Sequence, residues 1–213
     1  MSVNITLEQI QHLAPNARSS YREAFQNGEP VLERSGISAT PLRVAHFMAQ
    51  VLHETGGLAI HIESLNYSAE RLPKVWPSRF KPTGPLDPAA FAHNQQKLGN
   101  EVYGGRMGNI GPNDGFTYRG RGLLQLTGKD SYDRATTTLG AQNPEAPDLV
   151  ASPDAVFSAR WCLAVAAAEW ASKGCNAFAD QDDIRKVTRA INGGLIGLSD
   201  RTEWLRLTKV VWS

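Results

Sequence analysis

Apolar positions recur at helical spacing along most of the chain, and few segments alternate as strands do. Thr6 and Gln9 stand in a capping-box arrangement ahead of Ile10 and Leu13, which predicts a helix at the start. A second helix is expected over about 19–26, stopping at Asn27-Gly28. The clearest pattern follows. Thr40 can cap, Pro41 fits a first helical position, and Val44, Phe47, Met48 and Val51 form a stripe that ends at Gly56-Gly57. Ser152-Pro153-Asp154 is expected to open one long helix to about Ser172. Its apolar residues run nearly all round, as suits the centre of a bundle. Asp183–Ile191 predicts another helix, halted by Asn192-Gly193-Gly194, and Ser199 is expected to cap the last, which carries Trp204, Leu205, Leu207 and Val211. The expected fold is therefore mainly α, a single domain over 1–213 with helices around a groove.

One stretch breaks the texture. Residues 73–115 hold six of the twelve prolines and seven of the nineteen glycines. Asp87-Pro88 predicts one short helix there, about Pro88–Leu98, and the rest reads as loop. Long irregular segments inside a compact domain are usually functional, so 73–115 is expected to be a substrate-shaping subdomain and one wall of the groove.

Lys and Arg number 22 against 21 Asp and Glu, giving a net charge of +1 with no basic run. That balance argues against a nucleic-acid partner. No apolar run is long enough to span a bilayer, and the start lacks a signal-peptide pattern, so cytoplasmic synthesis and a monomer are expected. Cys162 and Cys175 are expected to be reduced, structural thiols. No cofactor motif is present. His53-Glu54 lacks the second histidine at position 57 that a zinc-protease helix needs, so no metal is expected.

Glu54 is the leading candidate for chemistry. It lies seven residues after Phe47, near the apolar side of its helix, and at the C-terminal end, where the helix dipole disfavours an anion. Burial and dipole both favour a protonated carboxyl, as a general acid requires. A solvated acid at a frayed helix end fits the same position. Glu63 comes nine residues later. On one continuous helix it would stand about 13 Å further along on the opposite side. The Gly-Gly break lets the chain turn and bring it back across a cleft, as a pair of inverting carboxylates requires. Any two glutamates flanking a turn share that spacing. Tyr118–Gly128 is glycine-punctuated but is not a nucleotide loop. If extended, it places Gln125 and Thr127 on one face, suited to a sugar hydroxyl and a water, although a tight structural turn reads equally well. Trp76, Tyr67 and Tyr103 are candidates for sugar stacking or for core packing.

Four blocks together resemble the family 19 glycoside hydrolases, in particular short bacteriophage and prophage endolysins. They are Ala45–Gly57, Glu63–Ser68, Tyr118–Gly128, and Ile191–Gly194 with Asp200-Arg201. The resemblance implies a lysozyme-like fold and inverting hydrolysis of peptidoglycan or chitin strands. It implies Glu54 as acid, Glu63 as base and Thr127 as the hydroxyl that helps hold the attacking water. Gln125, Tyr132 and Asn192 fall at substrate-contact positions, and Arg201 resembles an arginine that pairs with active-site carboxylates. Holin-dependent release onto the cell wall is implied as well. The chain departs from plant members in two ways. The segment between the two glutamates is shorter, and Ile196 stands where they carry a glutamate, a role Asp200 is a candidate to fill. A lytic transglycosylase and a non-catalytic wall-binding module are the rival classes.

Overall fold

The computed structural model describes residues 2–213. Twelve α-helices account for half of them. The first four are α1 (Leu7–Leu13), α2 (Ser19–Gln26), α3 (Glu29–Arg34) and α4 (Pro41–Glu54). Two short helices, α5 (Leu72–Val75) and α7 (Asp114–Thr117), flank α6 (Gln95–Tyr103). The rest are α8 (Lys129–Gln142), α9 (Cys162–Ser172), α10 (Cys175–Asp180), α11 (Ile184–Asn192) and α12 (Leu198–Val211). Among the described residues, extended pairing is limited to isolated bridges such as Ile62 with Arg121 and Arg121 with Leu126. The architecture is mainly α, as the periodicity predicts.

The helix starts follow local chemistry. Thr6 and Gln9 make both bonds of the capping box, and the Thr40 hydroxyl accepts from the Arg43 amide with Pro41 just inside. Helix α4 is buried on every side from Val44 to Leu52, and α12 packs along it. Helix α9 joins the same core through Leu163, Ala166, Ala167 and Trp170, whose ring meets Phe47 edge-on at 5.4 Å. Both cysteines are free and buried, and burial pushes each thiol up to about 12.

Several expected elements differ. The helix expected from Ser152 is broken. Pro153–Phe157 is a 3₁₀ turn, Ser158 is extended, and α9 starts only at Cys162. Tertiary packing decides this. The 3₁₀ turn lies so close to Gly122 that a Cβ there would stand 2.7 Å from Val156 Cγ1, and Asp154 is tied to Arg121 at 3.0 Å. The helix expected over 88–98 is instead a 3₁₀ turn at Pro88–Ala90 and then α6, because His93 takes φ +54 and Asn94 caps a fresh start. Gly197, at φ +73, begins α12 in place of Ser199.

Residues 65–116 build a second, smaller core. Leu65, Leu72, Phe80, Phe91, Leu98 and Val102 are buried together, with Tyr67, Trp76 and Tyr103 packed against them. The proline- and glycine-rich stretch is thus a packed unit rather than loop, and it stands beside the main core across the groove.

Candidate active site

The groove has a volume of about 610 Å³. Its wall on the main core is made by the end of α4 (His53, Glu54), by Glu169 of α9 with Lys173 just after it, and by the end of α11 (Ile191, Asn192) with Gly193 just after it. Glu63, Tyr103, Met107, Ser131 and the turn from Gly120 to Thr127 supply the remainder.

Glu54 is held from behind. Arg201 of α12 donates from Nη2 to Glu54 Oε1 at 2.5 Å and from Nη1 to Gln50 Oε1 at 2.5 Å. The arginine side chain is 2% exposed and that of Glu54 16%. Arg201 is therefore a buried positioning group and not a sugar contact, which corrects its expected place among substrate-binding residues. Its Nε points to the Ile196 carbonyl at 3.4 Å, so backbone supplies an acceptor where plant members carry a glutamate side chain. Asp200 does not fill that role: it bonds to His53 Nδ1 at 2.5 Å.

Glu63 enters from the short segment after the Gly56-Gly57 break, where both glycines take positive φ and reverse the chain. Its amide donates to the Gly120 carbonyl at 2.9 Å. The Tyr103 hydroxyl reaches both of its carboxylate oxygens, at 2.8 and 2.9 Å. Burial pushes the Glu63 carboxyl above the usual carboxylate range. The Tyr103 hydrogen bond and the Arg119 charge pull the other way without overcoming it.

Gln125 and Thr127 both face the groove, but through a turn and not a strand. Gln125 takes φ +48, and its side-chain amide donates to the Gly122 carbonyl at 2.9 Å. Thr127 donates to the Gln125 carbonyl at 2.8 Å, which leaves its hydroxyl oxygen free to accept. Asn192, the last residue of α11, also lines the groove. Tyr132 does not. It is fully buried, receives a bond from Arg121 and donates to the Arg119 carbonyl, so it braces the turn from beneath. Tyr67 lies outside the groove lining. Its ring packs edge-on to Trp76 at 5.1 Å, and the charge of Glu63 helps raise its hydroxyl.

Sequence reasoning did not find Glu169 and Lys173, which form an ion pair at 3.3 Å on the groove wall. The available signal was two charges four residues apart at the end of an otherwise apolar helix. It also left the role of Tyr103 undefined.

A mainly helical scaffold with two carboxylates facing one open groove has the lysozyme-like fold of the solved structures it resembles. The chain is 35% identical over 181 residues to a glycosyl hydrolase family 19 domain-containing protein of Haemophilus influenzae, covering 84% of each sequence. It belongs to glycosyl hydrolase family 19. The fold is similar to that of chitinase C from Streptomyces griseus HUT6037, with a TM-score of 0.64, 20% identity, and coverage of 97% of this chain and 76% of the other. It is also similar to a bacterial family 19 chitinase, with a TM-score of 0.59, 21% identity, and coverage of 96% and 94%. No protein-family model matches the chain.

Proposed function

We propose that the protein hydrolyses the β-1,4 bonds of peptidoglycan glycan strands by an inverting, two-carboxylate mechanism, in the manner of a phage-type endolysin. The observation that carries this reading is the presence of Glu54 and Glu63 in one groove, each held by a different partner. Arg201 engages one oxygen of Glu54, and Glu54 donates a proton to the glycosidic oxygen. Glu63 accepts a proton from a water that attacks the opposite face of the sugar, and the Thr127 hydroxyl oxygen helps to hold that water. Gln125 and Asn192 offer amides to sugar hydroxyls. The sequence blocks shared with short lysins, above all the nine-residue interval between the two glutamates, support peptidoglycan as the substrate.

A second reading, hydrolysis of chitin, is favoured by the fold shared with two chitinases. Digestion of purified peptidoglycan and of N-acetylglucosamine oligomers, with product masses, separates the two. Peptidoglycan fragments with ordinary reducing ends are expected, and Glu54→Gln is expected to lower their release by about a hundred- to ten-thousandfold, the range that loss of general-acid chemistry gives. Products with 1,6-anhydro ends would replace hydrolysis by a transglycosylase, and cleavage of chitin oligomers alone would replace peptidoglycan by chitin.

A further inference from the structure

The residue that faces Glu63 most directly is a phenol from the smaller core. Tyr103 is the last residue of α6, and its hydroxyl lies 2.8 and 2.9 Å from the two oxygens of the carboxylate. One proton shared between both oxygens fixes the rotation of a group that otherwise turns freely about its last bond. An ionised carboxylate offers about four lone-pair sites, so a water can still bond to Glu63 while the phenol holds it.

Tyr103 is itself anchored. The Asn109 side chain is fully buried and works in both directions: Nδ2 donates to the Tyr103 carbonyl at 2.9 Å, and Oδ1 accepts from the Lys129 amide at 2.9 Å. The Gly105 amide donates to the Asn109 carbonyl at 2.8 Å. Lys129 is the first residue of α8 and follows Thr127 by two positions. The holder of Glu63 and the segment carrying Thr127 are therefore tied to the same buried amide.

We propose that Tyr103 is the positioning residue that aims Glu63 at the water, with Asn109 holding the end of α6 in register with the Thr127 segment. This rests on Glu63 acting as the base. The other charged and titratable groups that bear on the pair are Tyr67 on the segment after Glu63, Arg119 beside Gly120, Arg106 next to Tyr103 and Glu54 in the same groove. None of these is altered in the test.

Tyr103→Phe keeps the ring and removes the hydroxyl. Glu63 then stays buried without its donor, so it protonates more readily. The acidic limb of kcat/KM is expected to move up by roughly one pH unit, the shift equivalent to losing a hydrogen bond to a charged group. On the acidic side of the limb kcat is expected to fall about tenfold with KM within about twofold, and to approach that of the unaltered protein as the pH is raised. Replacing Tyr103 by 3-fluorotyrosine strengthens the donor and is expected to move the limb down. It provides the test if the Phe variant does not fold. NMR titration of the 13C-labelled Glu63 carboxyl in substrate-free protein must show the same displacements. An unmoved carboxyl titration, or a loss seen in KM and not in kcat, would overturn the proposal. Because the titration needs no substrate, it separates this failure from failure of the glycan reading, in which the unaltered protein cuts no strand.

Discussion

Replacing Arg201 by methionine removes a guanidinium while keeping much of its aliphatic bulk. The structure sets the size of the effect. The arginine is 2% exposed, its two terminal nitrogens are 2.5 Å from Glu54 and Gln50, and Glu54 is itself only 16% exposed. Removing one partner of a buried ion pair costs about 3–5 kcal/mol, because the other charge stays behind unpaired. The partial exposure of Glu54 places this case near about 3 kcal/mol, and the buried Gln50 side chain loses its only partner besides. Glu54→Gln is milder. The amide oxygen still accepts from Arg201, so only the charge attraction goes, at about 1–2 kcal/mol. In the double variant no charge remains unpaired, so its cost should fall short of the sum by about 1–2 kcal/mol. Urea titration reads this directly. At a slope of about 2 kcal/mol/M, the Arg201→Met midpoint should drop by roughly 1.5 M. If the two single costs simply add, or if Arg201→Met moves the midpoint by less than about 0.3 M, equivalent to roughly 0.5 kcal/mol, then the ion pair does not hold Glu54.

Two further predictions concern α4 and what packs against it. Gly197 takes φ +73 and would place a Cβ 2.5 Å from His53 Cε1, whereas Gly57, at φ +71, has open space around it. Gly57→Ala should therefore cost only the left-handed penalty of about 1 kcal/mol, and Gly197→Ala about 2–3 kcal/mol with a correspondingly larger fall in Tm; equal falls would refute the contact. His46 is fully buried against Asp182, and burial holds its pKa below the ordinary value despite that carboxylate. The unfolded chain takes up a proton near pH 6.5 and the folded one only at lower pH, so stability should be level above about 6.5 and decline below it, by at most about 1.4 kcal/mol per unit from this group. His46→Gln should flatten that decline, and an unchanged slope in urea midpoints between pH 5 and 7 would exclude His46 as its source.

The legible parts of the chain are those whose chemistry is local. The Thr6 and Thr40 caps, Pro41, the α4 stripe and the glycines that end α4 and α11 were each readable from a few neighbouring residues. Helix α8 was not. It buries only Tyr132, Ala135 and Leu139 and runs through Thr136, Thr137 and Thr138, whose branched side chains weaken the helical signal. The turn at Gly122–Gln125 was hidden because its left-handed Gly122 lies tight against Val156, more than thirty positions away. At the site, the sequence placed Glu54, Glu63, Gln125, Thr127 and Asn192, and all of these line the groove. The supports were less readable. Tyr132 turns inward to pack with Tyr118, Leu126 and Leu139, and Tyr103 faces Glu63 through the way the smaller core seats against the turn; no local pattern encodes either.

The two carboxylates are rooted in different hydrophobic clusters, Glu54 in the one built on α4 and Glu63 beside the one that carries Tyr103. In the proposed mechanism the gap that admits a water is thus set between two clusters and not within one. If heat or denaturant loosens the smaller cluster first, that gap widens while the larger cluster stands. Activity is then expected to be lost at a lower denaturant concentration than the buried α4 core, and coincident loss of the two would show that the clusters unfold as one.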